Sequence, residues 1–335
     1  MIKFIIYNSA FVIKYTCIVR TMFQYVKPIV LISMCLGFKP VRFDGNVIYD
    51  SFIEVLKKYI NPIPVCPEIG VGLGVPRNPL VLYEENGVLN LVDVVSGVSY
   101  TERMKLFFDS LKNRYYFDGV LLKSASPSCG VGDAKVYGPG RRVVRKTDGL
   151  FTRFVRESYP CIPLESEKRL YNYEIRVRFL TKLFTIADFR TTINNLVSRE
   201  DLVDFHKRNK YIIMLHSNSG LKNLGRIIAS RKSMSIEELI EKYSVEFMKT
   251  MCRNPGRGSY TNVFIHIYGH LKEEMELQER RYVLDLITRF KKGYENLRTI
   301  MMYFRGFIHR FRNKYLEESR FLNPYPDELD TFIHG

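Results

Sequence analysis

Three of the six cysteines lie where a short apolar segment gives way to a loop rich in proline and glycine. They are Cys35, Cys66 and Cys129, and each apolar segment has the composition of a β-strand. The carboxyl ends of parallel strands in an open α/β sheet form a ligand crevice, so three thiols there would face one pocket. Three thiols without a nearby histidine favour a soft metal centre with one open position.

The segments between these cysteines alternate between strand and helix patterns. A helix is predicted over 50–60, opened by a capping box of Ser51 and Glu54, and a hairpin is predicted around Asn86 and Gly87. Further predicted elements are helices over 101–114, 150–157 and within 167–184, and short strands over 119–123 and 161–164. This alternation predicts an α/β fold, a Rossmann-like domain with a mostly parallel sheet.

After about residue 192 the apolar positions recur at helical spacing and the strand patterns end. The predicted helices cover 199–216, 221–231, 236–253, 261–271, 273–292 and 295–314. The sequence therefore predicts an extension over 1–26, a sheet domain over 27–192 and an all-α helical domain over 193–335.

The chain is strongly basic, with a net charge of +16 and a pI near 9.5. Such a charge favours a polyanionic partner, with RNA as the leading candidate. The alternative explanation of the charge is the high lysine and glutamate usage of a thermophile or a biased genome. Against it, the basic residues form clusters, as in 141–146, and are not evenly mixed with acidic residues. In the helical domain basic residues interleave with aromatic residues over 205–208, 280–282, 303–305 and 307–312, which suits phosphate contacts with stacking, unless the rings face the core.

The apolar N-terminal segment is interrupted by charged and polar residues. It has no run of the roughly 18 to 20 apolar residues that a membrane span requires, and it lacks the pattern of a signal peptide. Either the first 26 residues form an extension or translation begins at Met22. We expect a protein of the reducing cytoplasm without a membrane partner, where free thiols can bind metal.

The remaining cysteines are predicted to be structural, and the histidines are predicted to form hydrogen bonds in the core or, where exposed, to contact phosphate. Cys17 lies in the extension, and Cys161 and Cys252 lie on apolar segments where a free thiol behaves as a small hydrophobic side chain. His266 and His270 have the spacing of a zinc-binding helix but lack the glutamate of that motif.

Two polar residues accompany the cysteines at the predicted pocket. Glu68 follows Cys66 by two residues, and Ser126 precedes Cys129 by three, so they can act as a general base and an orienting hydroxyl. A capping or ion-pairing surface acid and a turn residue are the alternative interpretations. The glycines of 70–74 do not match a dinucleotide loop, and we expect them to admit backbone close to the pocket with Arg77 as an anion contact.

An ordered set of motifs resembles the thiouracil desulfidase (TudS-like) family. The motifs are Ser33-Met-Cys-Leu-Gly37, Pro40-Val-Arg-Phe-Asp-Gly45, Val65-Cys-Pro-Glu68, Gly72-Leu-Gly-Val-Pro-Arg77 and Lys123-Ser-Ala-Ser-Pro-Ser-Cys-Gly130. The downstream half, with 205–210 and 323–329, resembles the YbgA-like helical domain. Fusions of these two domains are similar to tRNA 4-thiouridine desulfidases, in which the helical domain is implicated in tRNA binding.

The resemblance implies a [4Fe-4S] cluster held by Cys35, Cys66 and Cys129, with one iron open to the sulfur of the substrate. It also implies that Glu68 and Ser126 occupy the catalytic positions. The implied reaction converts thiolated uracil in tRNA, such as 4-thiouridine, to uracil and releases hydrosulfide. A free-base thiouracil desulfidase, a non-catalytic RNA-binding protein with a structural cluster, and a zinc hydrolase with three cysteines remain alternatives.

Overall fold

The computed structural model describes residues 24–330, which form an α/β part followed by a helical part. The strands of the described residues are, in chain order, β1 (Ile29–Ser33), β2 (Asn61–Val65), β3 (Leu80–Glu85), β4 (Val88–Asp93), β5 (Gly119–Leu122), β6 (Ala134–Tyr137), β7 (Val143–Thr147) and β8 (Leu164–Ser166). They form one four-stranded sheet with the order β2-β1-β5-β8 and another with the order β4-β3-β6-β7.

The helices alternate with strands in the first part and follow one another in the second. Those of the α/β part are α1 (Ser51–Leu56), α2 (Pro67–Gly70), α3 (Thr101–Arg114) and α4 (Leu150–Ser158). They are followed by α5 (Tyr173–Asn194), α6 (Arg199–His216), α7 (Asn218–Ala229), α8 (Ile236–Met251), α9 (Arg257–Leu271), α10 (Leu277–Lys292), α11 (Leu297–Phe311), α12 (Lys314–Glu317) and α13 (Asp327–Asp330). The predicted fold class, a parallel sheet domain followed by helices, is confirmed.

The first sheet is parallel throughout. β1 pairs with β2 and β5, and β5 pairs with β8, all in the same direction. Pro62 and Pro64 lie in β2, which is an edge strand. Proline has no backbone N–H to donate, and an edge strand has a neighbour on one side only, so the missing donors can face away from the sheet.

The second sheet was only half predicted. The hairpin of β3 and β4 turns at Asn86 and Gly87, which have φ values of 50° and 77°, as the Asn-Gly pair predicts. The partner strands β6 and β7 were missed because β7 consists largely of exposed and charged residues. Most of the basic cluster 141–146 lies within β7, which is an edge strand of this sheet.

Helix limits agree closely with the predictions where the sequence carries clear end signals. The predicted helices 101–114 and 199–216 match α3 and α6. The predicted capping box at Ser51 was wrong, because the Asp50 side chain caps α1 by accepting a hydrogen bond from the backbone of Ile53.

The long helix α5 joins the two parts through packing on both sides. Leu180 and Leu183 belong to the core beneath the first sheet, whereas Phe189 belongs to the core of the helical part. Near its end Arg190 donates two hydrogen bonds of 2.9 and 3.0 Å to the buried Asp118, beside the start of β5.

A disulfide also links the two parts. The prediction that Cys161 and Cys252 are free packing residues was wrong, because their sulfur atoms are bonded and their Cα atoms are 4.3 Å apart. Cys161 lies between α4 and β8, and Cys252 follows α8. A separation of 91 residues left no local signal of this pairing.

The predicted extension and Cys17 lie outside the described residues, apart from the last three residues of the extension. Within 24–330 no helix is both long and apolar enough to cross a membrane.

Candidate active site

Cys35, Cys66 and Cys129 lie at one edge of the parallel sheet. Cys35 follows β1 by two residues, Cys66 follows β2 at once, and Cys129 lies in the loop after β5. The last residues of β1 and β2 are paired in register, so the chain leaves both strands at the same level. The predicted convergence at the carboxyl edge is confirmed, and the role of these thiols as ligands stays a prediction.

Cys129 is buried, Cys35 and Cys66 are half-buried, and the three thiols are close enough to influence one another. Burial, together with the neighbouring Cys66, raises the pKa of Cys35 to about 12. Burial also raises the pKa of Cys66 and of the fully enclosed Cys129, and the other two thiols act in the same direction on Cys129. A bound cation would reverse this effect, because a coordinating thiol is deprotonated.

The three thiols provide the donor chemistry of an iron–sulfur cluster. Among residues 24–330, no group of three or more His, Cys, Asp or Glu side chains is placed to hold a metal ion. Cys35, Cys66 and Cys129 nevertheless provide three free thiols without histidine at one edge of the sheet, and thiolates are the ligands that iron–sulfur clusters take.

Glu68 lies beside these thiols in the first turn of α2, buried and held at both carboxylate oxygens. The Ser128 hydroxyl donates to Oε1 at 2.7 Å, and Nε of Arg77 donates to Oε2 at 2.8 Å. Glu68 does form an ion pair, as the alternative interpretation predicts, but the pair does not lie on the surface. The side chain of Glu68 is only 11% exposed and that of Arg77 only 5%.

Ser126 lies at the next position of the same hydrogen-bond chain. Its Oγ accepts from the backbone N–H groups of Ser128 and Cys129 at 3.3 and 3.1 Å, and it lies 3.0 Å from the Oγ of Ser128. Since Ser128 donates to Glu68, it can accept from Ser126. A line of hydroxyls therefore runs from Ser126 through Ser128 to Glu68.

Ser128 is the functional candidate that sequence reasoning missed. The segment 124–128 contains three serines, and spacing alone gave no reason to prefer Ser128 over Ser126 as the partner of the carboxylate. The hydrogen bond to Glu68 joins residues 60 positions apart, so only the fold reveals it.

A second charged group at the same edge was also missed. Lys123 donates to Glu167 at 2.8 Å, and the Ser124 hydroxyl and backbone N–H donate to the same carboxylate at 2.7 Å each. Lys123 lies within electrostatic reach of Cys35 and lowers its pKa against the effect of burial. The hydrogen bonds of Lys123 and Ser124 to Glu167 fix the start of the loop that contains Cys129.

The glycine-rich segment behaves differently from its prediction. Gly70 packs against the ring of Phe107, where a Cβ would be 2.3 Å from the nearest ring atom, while Gly72 and Gly74 have open space beside them. These glycines therefore do not serve close approach to the cysteines. Arg77 does contact an anion, the carboxylate of Glu68.

Several basic residues of the helical part are neutralised within the protein. Arg208 is paired with Asp188 and Arg305 with Asp330, while Phe205 is fully buried. Tyr282 and Tyr303 remain exposed by 48% and 40% and their rings contact each other. The predicted basic and aromatic surface is thus only partly available to a ligand.

The histidine pair of α9 has no metal partner in the described chain. His266 and His270 belong to no group of side chains that could bind an ion within residues 24–330. The ring of His270 instead contacts Tyr315.

The fold and the thiol edge define an α/β protein with a candidate metal centre, joined to a helical domain. Residues 30–167 match the family model described as 2-thiouracil desulfurase, and residues 210–326 match DUF1722, a family of unknown function. The chain therefore carries a 2-thiouracil desulfurase domain followed by a DUF1722 domain, as the resemblance implied.

Individual relatives each resemble part of the chain. "Uncharacterized protein YbgA" of Escherichia coli (strain K12) is 20% identical over 47% of this chain and 93% of its own length. "Uncharacterized protein YbbK" of Bacillus subtilis (strain 168) is 28% identical over 31% of this chain and 74% of its own length. A solved structure of the [4Fe-4S]-dependent thiouracil desulfidase TudS is 29% identical over 43% of this chain and 93% of its own, with a TM-score of 0.36.

Proposed function

We propose that this protein is an iron–sulfur-dependent desulfidase that converts thiolated uracil in tRNA, such as 4-thiouridine, to uracil and hydrosulfide. The observation that carries the proposal is the buried Glu68 carboxylate, connected to Ser128 and Ser126 beside three free thiols. The match of residues 30–167 to 2-thiouracil desulfurases supports a thiocarbonyl as the reacting group.

Cys35, Cys66 and Cys129 would hold the cluster, a [4Fe-4S] group. When bound, such a cluster with three protein ligands supplies a soft Lewis acid that polarises a thiocarbonyl. The setting of the thiols supports this role. Protonated thiols are neutral and do not repel one another, whereas three neighbouring thiolates do, so deprotonation of the three side chains favours a bound cation.

Glu68 would act as the general base toward water. Arg77 holds Oε2, which leaves Oε1 as the oxygen that exchanges protons through Ser128. A water activated there supplies the oxygen that replaces sulfur, one of its protons passes to the carboxylate, and sulfur leaves with the other as hydrosulfide, so the net reaction is hydrolytic and not redox.

Ser126 would orient the pyrimidine. Its oxygen is already occupied by two backbone donors, so its hydroxyl hydrogen is available to Ser128 or to an acceptor of the base. A nucleotide in folded tRNA would have to be rotated out of its stack to reach this edge of the sheet.

The tRNA substrate is favoured over the free base by charge and domain composition. A net charge of +16 is unnecessary for a neutral thiouracil but suits a polyanion, and the DUF1722 domain provides additional basic surface. A free-base desulfidase remains the second candidate, because the family match concerns the first domain alone.

The test is anaerobic purification with iron and sulfide assays, followed by incubation with thiolated tRNA and with free thiouracil. We expect a coloured protein with iron and sulfide that releases hydrosulfide from the tRNA. A colourless zinc protein would overturn the cluster, and a clustered protein inactive on both substrates would overturn the catalytic assignment.

Cysteine variants separate the ligands from other thiols. Cys35→Ser, Cys66→Ser and Cys129→Ser are each expected to lower the iron content and the visible absorbance. Cys161→Ser is the matched control, since its sulfur belongs to the disulfide, and it is expected to retain full iron.

A further inference from the structure

The second sheet presents an outer face that does not belong to a hydrophobic core. Leu82, Leu91 and Val136 point from β3, β4 and β6 into the core shared with α3 and α4. Because side chains alternate along a strand, Tyr83 and Tyr137 lie on the opposite face, and neither belongs to a core cluster of the described residues. The tyrosines of the outer face therefore belong to none of the three hydrophobic cores within 24–330.

Two tyrosines occupy paired positions on the central strands of this face. Tyr83 and Tyr137 are direct partners in the parallel pairing of β3 with β6. Both are half-buried, and within residues 24–330 neither ring contacts another aromatic ring. Two half-buried tyrosines at paired positions offer aromatic rings on which nucleobases can stack.

Two lysines lie beside the rings on the same face. Lys135 of β6 is the direct partner of Lys146 of β7 in the antiparallel pairing. Both are exposed, and among residues 24–330 neither forms an ion pair. Like charges directly opposite each other destabilise a sheet, and an anion lying across the pair would relieve this repulsion.

The basic character continues along the edge of the sheet. Arg141 and Arg142 are exposed just before β7, next to the exposed Val143 and Val144. Lysines often protect an edge strand from pairing with another chain, which explains Lys146. That explanation does not apply to Lys135, because β6 lies between β3 and β7.

Both central strands begin next to the candidate active site. β3 starts three residues after Arg77, which holds Glu68, and β6 starts five residues after Cys129. Tyr137 is three residues into β6, about 10 Å along the strand from its start. A strand of nucleotides on the outer face thus leads toward the thiol edge.

We infer that this outer face binds a single-stranded segment of the RNA substrate, with bases stacked on Tyr83 and Tyr137 and phosphates at Lys135 and Lys146. The inference rests on the proposed function for its choice of RNA, and it assigns a binding surface to the first domain in addition to the helical domain. In a common RNA-binding module, a four-stranded sheet likewise binds single-stranded RNA by stacking two or three bases on its aromatic residues.

The test measures binding of a fluorescent single-stranded oligouridine to the full chain. Tyr83→Ala and Tyr137→Ala are each expected to weaken binding about fivefold or more, whereas Tyr83→Phe and Tyr137→Phe retain stacking and near wild-type affinity. Lys135→Glu with Lys146→Glu is expected to lower the slope of log affinity against log salt by about 1.4.

Lys112→Glu is the matched control. Lys112 is exposed on α3 in the same domain, and its reversal changes the net charge without touching the outer face. The inference is overturned if Lys112→Glu weakens binding as much, for each lysine replaced, as the double variant of Lys135 and Lys146 does. It is also overturned if Tyr83→Ala and Tyr137→Ala bind the oligonucleotide as tightly as the wild type does.

Desulfidation of free thiouracil separates this inference from the proposed function. The outer-face variants are expected to retain the wild-type rate on the free base while losing affinity for the oligonucleotide. Oligonucleotide binding that depends on Tyr83 and Tyr137 in a wild-type protein inactive on every thiolated substrate would support the surface and contradict the activity. Activity on thiolated tRNA that is unchanged in all outer-face variants would support the activity and contradict the surface.

Discussion

The hydroxyl of Ser128 donates a 2.7 Å hydrogen bond to the Oε1 oxygen of Glu68, across 60 positions of the chain. This bond joins the short helix after β2 to the loop after β5, and so joins two of the three cysteine-bearing segments. The carboxylate is thereby fixed between a hydroxyl and the guanidinium of Arg77. A base held on both sides loses little entropy when it reacts, which suits a catalytic role.

Replacing Glu68 by glutamine is predicted to remove turnover without removing the metal centre. The amide keeps the size of the side chain but cannot accept the proton of water, so the rate is expected to fall by a factor on the order of 10² to 10⁴. Hydrosulfide release and iron content are measured on the same sample. Glu84→Gln, outside the site, serves as the control, and loss of iron in Glu68→Gln would assign Glu68 a structural role instead.

Replacing Ser128 by alanine is predicted to slow turnover while the ion pair of Glu68 with Arg77 persists. One hydrogen bond to a charged group is lost, so the rate is expected to fall about 10-fold to 150-fold. Ser110→Ala, on the exposed side of α3, should leave the rate unchanged. A wild-type rate in Ser128→Ala would show that no proton passes along the serine pair.

Replacing Cys161 by serine is predicted to lower the free energy of unfolding by about 2 to 5 kcal/mol, because the disulfide closes a loop of 91 residues. Denaturant titration under non-reducing conditions measures the change. The same titration in reductant should give the wild type the stability of the variant. Alkylation of all six cysteines in unreduced, denatured wild type would contradict the bond.

His216 is predicted to destabilise the protein in acid. Burial and, to a smaller extent, the nearby Lys182 lower its pKa to about 4, against the opposing effect of a hydrogen bond to the backbone carbonyl of Arg253. The unfolded chain therefore binds a proton below about pH 6.5 that the folded chain does not, so the stability is complete above pH 6.5 and decreases toward pH 4. We expect a loss of about 3 kcal/mol by pH 4.

His216→Gln provides the comparison for this pH dependence, measured as unfolding free energy between pH 7 and 4. The variant keeps a donor for the Arg253 carbonyl but does not titrate, so its profile should be flatter than that of the wild type. Parallel profiles would mean that other groups determine the acid response.

Local sequence signals were sufficient for the thiol edge. An apolar run followed by a loop predicts both a strand and its end, so the placement of Cys35 and Cys66 followed once the sheet was parallel. Strong end signals likewise predicted α3 and α6 to the residue.

Long-range contacts account for what the sequence did not reveal. The partner of Glu68 could not be chosen among three nearby serines, and the disulfide joins residues in different parts of the chain. The strand β7 was missed because its residues are mostly exposed and include Arg145 and Lys146, which is typical of a sheet edge, and β6 was missed because it is only four residues long.

We propose that water, activated at Glu68, replaces the sulfur of a thiolated uracil in tRNA. Incubation of the anaerobic holoenzyme with thiolated tRNA in water labelled with the heavy oxygen isotope tests this step. We expect one labelled uridine for each hydrosulfide released by the wild type, and at least about 100-fold slower formation of both products with Glu68→Gln. Hydrosulfide release without label in uridine, or full activity of Glu68→Gln, would contradict it.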